Sequence, residues 1–202
     1  MFISIPAQLS RNISRYYTRP VVGDVDDNKK DEMLVDLEDS KTVLVSYNVN
    51  DPNVGMSLNK DMSRFKLFVA DTGLFVTMAF WDKDFKDNII YQKLLSEKLD
   101  TNLGYVYENL VAQMLTASGN NLFYYTFPAD DKHYYEIDFL ISRDNKICPI
   151  EVKLSGYKTH ASLDAFRRKY SSRIKHSYLL YTKDLQSEGE ISYFPIYMTS
   201  ML

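Results

Sequence analysis

The stretch Tyr134 to Lys153, YYEIDFLISRDNKICPIEVK, decides the fold. It reads as two strands, Tyr134–Ser142 and Ile147–Leu154, rich in Tyr, Ile, Leu, Phe and Val. Arg143-Asp144-Asn145-Lys146 between them has the chemistry of a tight turn. Side chains alternate along a strand, so Glu136 and Asp138 share one face, and Ile137 and Phe139 take the other. On the second strand Glu151 and Lys153 point one way and Val152 the opposite way. Pairing across the turn brings Asp138 alongside Glu151. Two carboxylates and a lysine then gather on an otherwise apolar sheet, which is costly unless the charges pair or bind a metal.

Upstream, Leu103, Val106/Tyr107, Leu110/Val111 and Met114 form the buried stripe of a helix over about 102–118, which Gly119-Asn120-Asn121 stops. A strand follows at Leu122–Phe127. Downstream come a helix over Ala161–Ser171, with Leu163, Phe166 and Tyr170 inward, and a strand at His176–Thr182. Ile191–Tyr197 reads as an edge strand, since it holds Pro195. The order is αβββαβ, preceded by helical stretches over about 71–80 and 84–99.

The first 75 residues read as a smaller unit. Pro6 starts a helix whose stripe is Ile5, Leu9, Ile13 and Tyr16/Tyr17, ended at Arg19-Pro20. A second helix carries Met33, Leu34 and Leu37, with Asp26 or Asp27 as its cap. Strands at Val43–Asn48 and Phe65–Val69 flank a turn at 50–55. Helices followed by a hairpin predict a winged-helix-like unit over 1–75, ahead of an α/β (α+β) domain over 76–202.

The 202 residues carry 24 Lys+Arg against 27 Asp+Glu, a net charge of −3, and 45% are hydrophobic, which fits a soluble globular chain. One Cys excludes an intrachain disulfide framework and fits a reducing cytosol; with three His it also argues against structural zinc. Met1–Pro6 has no basic targeting region, and the apolar run from Phe65 to Phe80 is broken by Lys66, Asp71 and Gly73. A cytoplasmic location with no membrane contact is expected. The charge is uneven. Residues 21–39 hold eight acids and two lysines, a local −6, whereas residues 153–175 hold seven basic residues and one acid, a local +6.

The chemistry that suits Asp138, Glu151 and Lys153 is metal-assisted phosphodiester hydrolysis. Two carboxylates hold Mg²⁺, or Mn²⁺, and leave positions for water and a phosphate oxygen. A neighbouring lysine positions or deprotonates the attacking water, or stabilises the transition state. Glu108, on the rim of the long helix, is placed to add a third carboxylate. The competing reading is a same-face ion pair worth about 0–1 kcal/mol. Lys158, Arg167, Arg168, Lys169 and Arg173 form a patch suited to a DNA backbone, against the plainer alternative of a solvated helix face. The acidic 21–39 segment reads as protein-facing.

Five ordered motifs carry a family resemblance: FISIPAQLS at 2–10, FKLFVADTGL at 65–74, GYVYENLVAQ at 104–113, EIDFL at 136–140 and PIEVK at 149–153. Together they resemble the C-terminal domain of unknown function attached to many bacterial and archaeal AAA-type ATPases. That domain is similar to the PD-(D/E)xK nuclease superfamily, with its restriction-endonuclease-like αβββαβ core. The resemblance implies a winged-helix-like segment, then a nuclease-like domain whose candidate site is Glu108, Asp138, Glu151 and Lys153. Ile137 stands where the superfamily often has Pro. No GxxxxGK[S/T] phosphate loop occurs, so no ATP hydrolysis is expected from this chain alone, and an ATPase module would be a partner. The alternative function is a catalytically inactive domain that docks on such an ATPase.

Overall fold

The computed structural model of the chain describes residues 1–11, 13–80, 103–154 and 156–202. The helix expected over 84–99 lies outside them. The described strands are β1 (Val43–Val49), β2 (Lys60–Val69), β3 (Phe123–Pro128), β4 (Tyr134–Arg143), β5 (Lys146–Lys153), β6 (Ser177–Tyr181), β7 (Gln186–Glu188) and β8 (Ile191–Pro195). The helices are α1 (Ile5–Leu9), α2 (Arg19–Val22), α3 (Asp27–Asp39), α4 (Thr72–Ala79), α5 (Gly104–Ala117) and α6 (Ala161–Tyr170). The expected αβββαβ order is present as α5-β3-β4-β5-α6-β6.

All eight described strands form one mixed sheet, in the order β2-β1-β3-β4-β5-β6-β8-β7. β3, β4 and β5 are antiparallel neighbours, and β5, β6 and β8 run parallel. The turn between β4 and β5 works because Asp144 accepts a left-handed φ of +54°, which aspartate tolerates better than most residues. α5 ends as its sequence predicts: Gly119 takes φ +83° and the Asn120 N–H donates to the Leu115 carbonyl at 3.0 Å.

Helices cover both faces of the sheet. Tyr124 and Tyr125 are successive residues of β3 and so point to opposite sides. Tyr125 packs edge-on against Phe166 and Tyr170 of α6. Tyr124 lies on the side of Lys66, whose ion-pair partner Glu108 belongs to α5.

Three expectations are corrected. The hairpin of residues 43–69 is not the wing of a separate unit: β1 runs parallel to β3, so the hairpin extends the common sheet across the proposed boundary at residue 75. Its Val43, Leu67 and Phe68 join the same hydrophobic cluster as Phe139 and Ile150. The first helix stops at Leu9 instead of reaching Tyr17, because Gln8 bonds both backbone groups of Tyr17, at 2.9 and 2.7 Å. That clamp lays Tyr16 along β2, where its N–H donates to the Phe65 carbonyl at 2.6 Å. Finally, Ile191–Pro195 is not the edge strand; β7 pairs outside it. Among the described residues no helix is long and apolar enough to cross a membrane.

Candidate functional site

The antiparallel pairing of β4 and β5 matches Phe139 with Ile150; one step further sets Asp138 opposite Glu151. There the ladder gives way to a side chain, and Asp138 Oδ2 accepts the Val152 N–H at 2.7 Å. β4 also carries a bulge: two steps on β3, Phe123 to Tyr125, are matched by three on β4, Leu140 to Ile137. The extra residue falls at 138–139, so the bulge interrupts the ladder at Asp138.

Asp138, Glu151, Lys153 and Glu108 line one open cleft of about 360 Å³. The structure therefore brings all four sequence-derived candidates together. It adds Glu136 and Lys66, which line the same cleft. Lys153 Nζ lies 3.0 Å from Glu151 Oε1, while Glu151 Oε2 is buried with no hydrogen-bond partner. Lys66, on β2, is 5% exposed. Its ammonium pairs with Glu136 Oε1 and lies 3.9 Å from Glu108 Oε2. Opposite Lys66 on β1 is Ser46, small enough to leave its stem room over the sheet, and Nζ lies 5.3 Å from the Tyr124 ring centre.

Four carboxylates beside two ammonium groups raise the cost of full ionisation. Burial first, then Glu108, push the Asp138 carboxyl well above its ordinary range; Glu136 and Glu151 add to this and Lys66 opposes it. Burial raises Glu108 too, against the pull of Lys66. Lys66 is raised as well: burial would lower it, but Glu136, Glu108 and Asp138 outweigh that and keep it charged.

A magnesium ion in this cleft would need hard oxygen ligands from converging carboxylates. Among the described residues no three acidic, His or Cys side chains converge closely enough to hold a metal. The Lys66 ammonium pairs with Glu136 and lies 3.9 Å from Glu108. Glu108 thus stands as an ion-pair partner of Lys66 here. Asp138 and Glu151 remain, and the unpartnered Glu151 oxygen suits an ion held by two carboxylates and otherwise by water.

Residues 103–199 match the family model of DUF4143, a domain of unknown function. No curated protein and no solved structure matches the chain. The DUF4143 match agrees with the expectation of a domain of unknown function over this part of the chain. It spans Glu108, Glu136, Asp138, Glu151 and Lys153; Lys66 lies before it.

The basic residues within the DUF4143 match differ in their surroundings. Arg167 pairs with Glu190, and Arg173 pairs with Asp51 and stacks near the Tyr170 ring. These two arginines are therefore largely committed within the fold. Lys158, Arg168 and Lys169 are exposed. Lys66 was legible in sequence only as a single lysine inside the apolar run Phe65–Val69; nothing local named its partners.

Proposed function

We propose that this chain is a nuclease-like module that hydrolyses or binds DNA with the help of Mg²⁺ or Mn²⁺. One observation carries the reading: Asp138 and Glu151, on neighbouring strands, line the same open cleft with Lys153, and one buried Glu151 oxygen has no hydrogen-bond partner. A bound divalent ion would supply Lewis-acid activation of water and of the phosphate. Asp138 and Glu151 would hold it. Lys153, already oriented by Glu151, would direct a phosphate oxygen or water toward the same point. Lys158, Arg168 and Lys169 would contact the nucleic-acid backbone, with Arg167 and Arg173 mainly shaping the fold around them.

The test is cleavage of plasmid and linear DNA in Mg²⁺ or Mn²⁺, paired with calorimetric titration of Mn²⁺. Wild type is expected to bind Mn²⁺ and cut. Glu151→Ala is expected to lose both, and Lys153→Met to keep the ion but lose about 100-fold or more in rate. A wild-type protein that binds no Mn²⁺ and cuts no DNA overturns the reading.

A second reading, a cytoplasmic docking domain for an AAA-type ATPase, is favoured by the exposed acids Asp31, Glu32, Asp36 and Asp39 on α3. Asp24, Asp26 and Asp27 are already engaged, with Arg19, the Lys29 N–H and Lys30 respectively. Reversing Asp31 and Asp36 to lysine is therefore expected to abolish co-elution with an AAA-type ATPase module. Unchanged co-elution counts against an acidic docking face.

A further inference from the structure

Lys66 lies in a place that ordinary burial rules disfavour. Lysine is almost never fully buried unless paired, and this one crosses from β2 over Ser46 and Tyr124 to reach an acid on β4. Its ammonium joins Glu136 of β4 to Glu108 of α5, at the wall of the cleft that Asp138 and Glu151 also line. Two neighbouring residues, Ser46 paired with it on β1 and Tyr124 whose ring centre lies 5.3 Å from Nζ, have side-chain oxygens buried without hydrogen-bond partners. They would serve water carried in with an ion. Removing the lysine would leave two carboxylates facing a polar, partly open space, which is the donor set of a divalent-ion site.

We propose that Lys66 is a built-in cation that fills an ion position in the cleft, so that replacing it with a neutral side chain adds one divalent ion to whatever wild type binds. The lysine is a positioning residue: it fixes Glu136 and Glu108 in place and keeps them from an exchangeable ion. The inference rests on the same cleft as the hydrolase reading, yet it concerns the change in ion number and not the starting value. It also brings β2, which lies before the stretch matching DUF4143, into the site.

The experiment counts Mn²⁺ ions per chain, by calorimetry and by electron paramagnetic resonance of free Mn²⁺, in wild type, Lys66→Met and Lys66→Arg. The expected result is a gain of one Mn²⁺ per chain in Lys66→Met and none in Lys66→Arg, whose retained charge restores the wild-type number. A count that rises from zero to one upholds the role of Lys66 while removing the metal from the hydrolase reading. A rise from one to two upholds both. No gain in Lys66→Met overturns the proposal, because loss of a merely structural ion pair would lower stability without creating an ion site. Should Lys66→Met be unfolded in chelator, Mn²⁺ is expected to restore its far-ultraviolet circular dichroism, since a divalent ion would replace the lost charge. Failure of Mn²⁺ to restore it equally overturns the proposal.

Discussion

Asp138→Asn is expected to abolish Mn²⁺ binding and DNA hydrolysis while making the protein more stable at pH 8. The Asp138 carboxyl is held above its ordinary range by burial and by Glu108, Glu136 and Glu151, so the folded chain binds a proton there that the unfolded chain has released. Stability changes with pH in proportion to protons bound by the unfolded state minus those bound by the folded state. That difference is negative between the unfolded value, near 4, and the raised folded value, so stability falls as pH rises through this window. Above the folded value the full penalty of the buried charge is present. Asparagine stays neutral, and its side-chain oxygen can still accept the Val152 N–H that Asp138 Oδ2 accepts at 2.7 Å. The gain is expected to be about 0.5–2 kcal/mol at pH 8, the scale of single stabilising substitutions, and to shrink toward pH 4. Thermal melts of both proteins between pH 4 and 8 check it. A variant no more stable than wild type at pH 8, or a gain that does not change with pH, would show that the carboxylate carries no such cost.

The same cluster shows what the sequence could and could not disclose. Asp138, Glu151 and Lys153 were legible because a two-residue period and a short turn fix which side chains meet on adjacent strands. The αβββαβ order was legible for similar reasons, since each element carries its own periodicity and its own stop. The bulge at 138–139 was not, because it depends on how β3 and β4 settle against each other. Lys66 meets Glu136 across 70 residues of sequence, and Arg173 meets Asp51 across 122. Such contacts leave no local trace. A residue count could therefore find a basic segment at 153–175 without revealing that Arg167 and Arg173 are already paired. The winged-helix expectation failed for a related reason: a hairpin looks the same in sequence whether its outer strand faces solvent or its inner strand joins a larger sheet.

Asn109→Ala is expected to cost about 3–5 kcal/mol, a large part of the 5–15 kcal/mol that holds a typical domain folded. Asn109 is fully buried on α5. Its Oδ1 accepts the Val69 N–H at 2.8 Å, and its Nδ2 donates to the Val69 carbonyl at 2.9 Å and to Thr72 Oγ1 at 3.2 Å. β2 is the outermost strand on its side of the sheet, so these Val69 groups have no neighbouring strand to pair with. The side-chain amide supplies the missing partner and closes that end of an edge that would otherwise invite another chain. Gln113, one helical turn on, extends the grip by accepting from the Thr72 N–H at 3.0 Å and from its hydroxyl at 2.6 Å. Alanine would leave the Val69 donor and acceptor buried and unpaired, and each such group costs about 1–3 kcal/mol. Asn109→Asp separates this from simple loss of packing: it keeps the volume but loses the donors and sets a carboxylate against the Val69 carbonyl. It is therefore expected to destabilise at least as much as alanine at pH 7. Urea denaturation of the three proteins measures both effects, and a loss below about 1 kcal/mol for either variant would mean that water or neighbouring groups replace the amide. Because Asn109 adjoins Glu108 and Val69 lies three residues beyond Lys66, the same bonds set the register of the Lys66–Glu108 pair. Loosening them is expected to disturb ion binding at concentrations of urea too low to unfold the sheet.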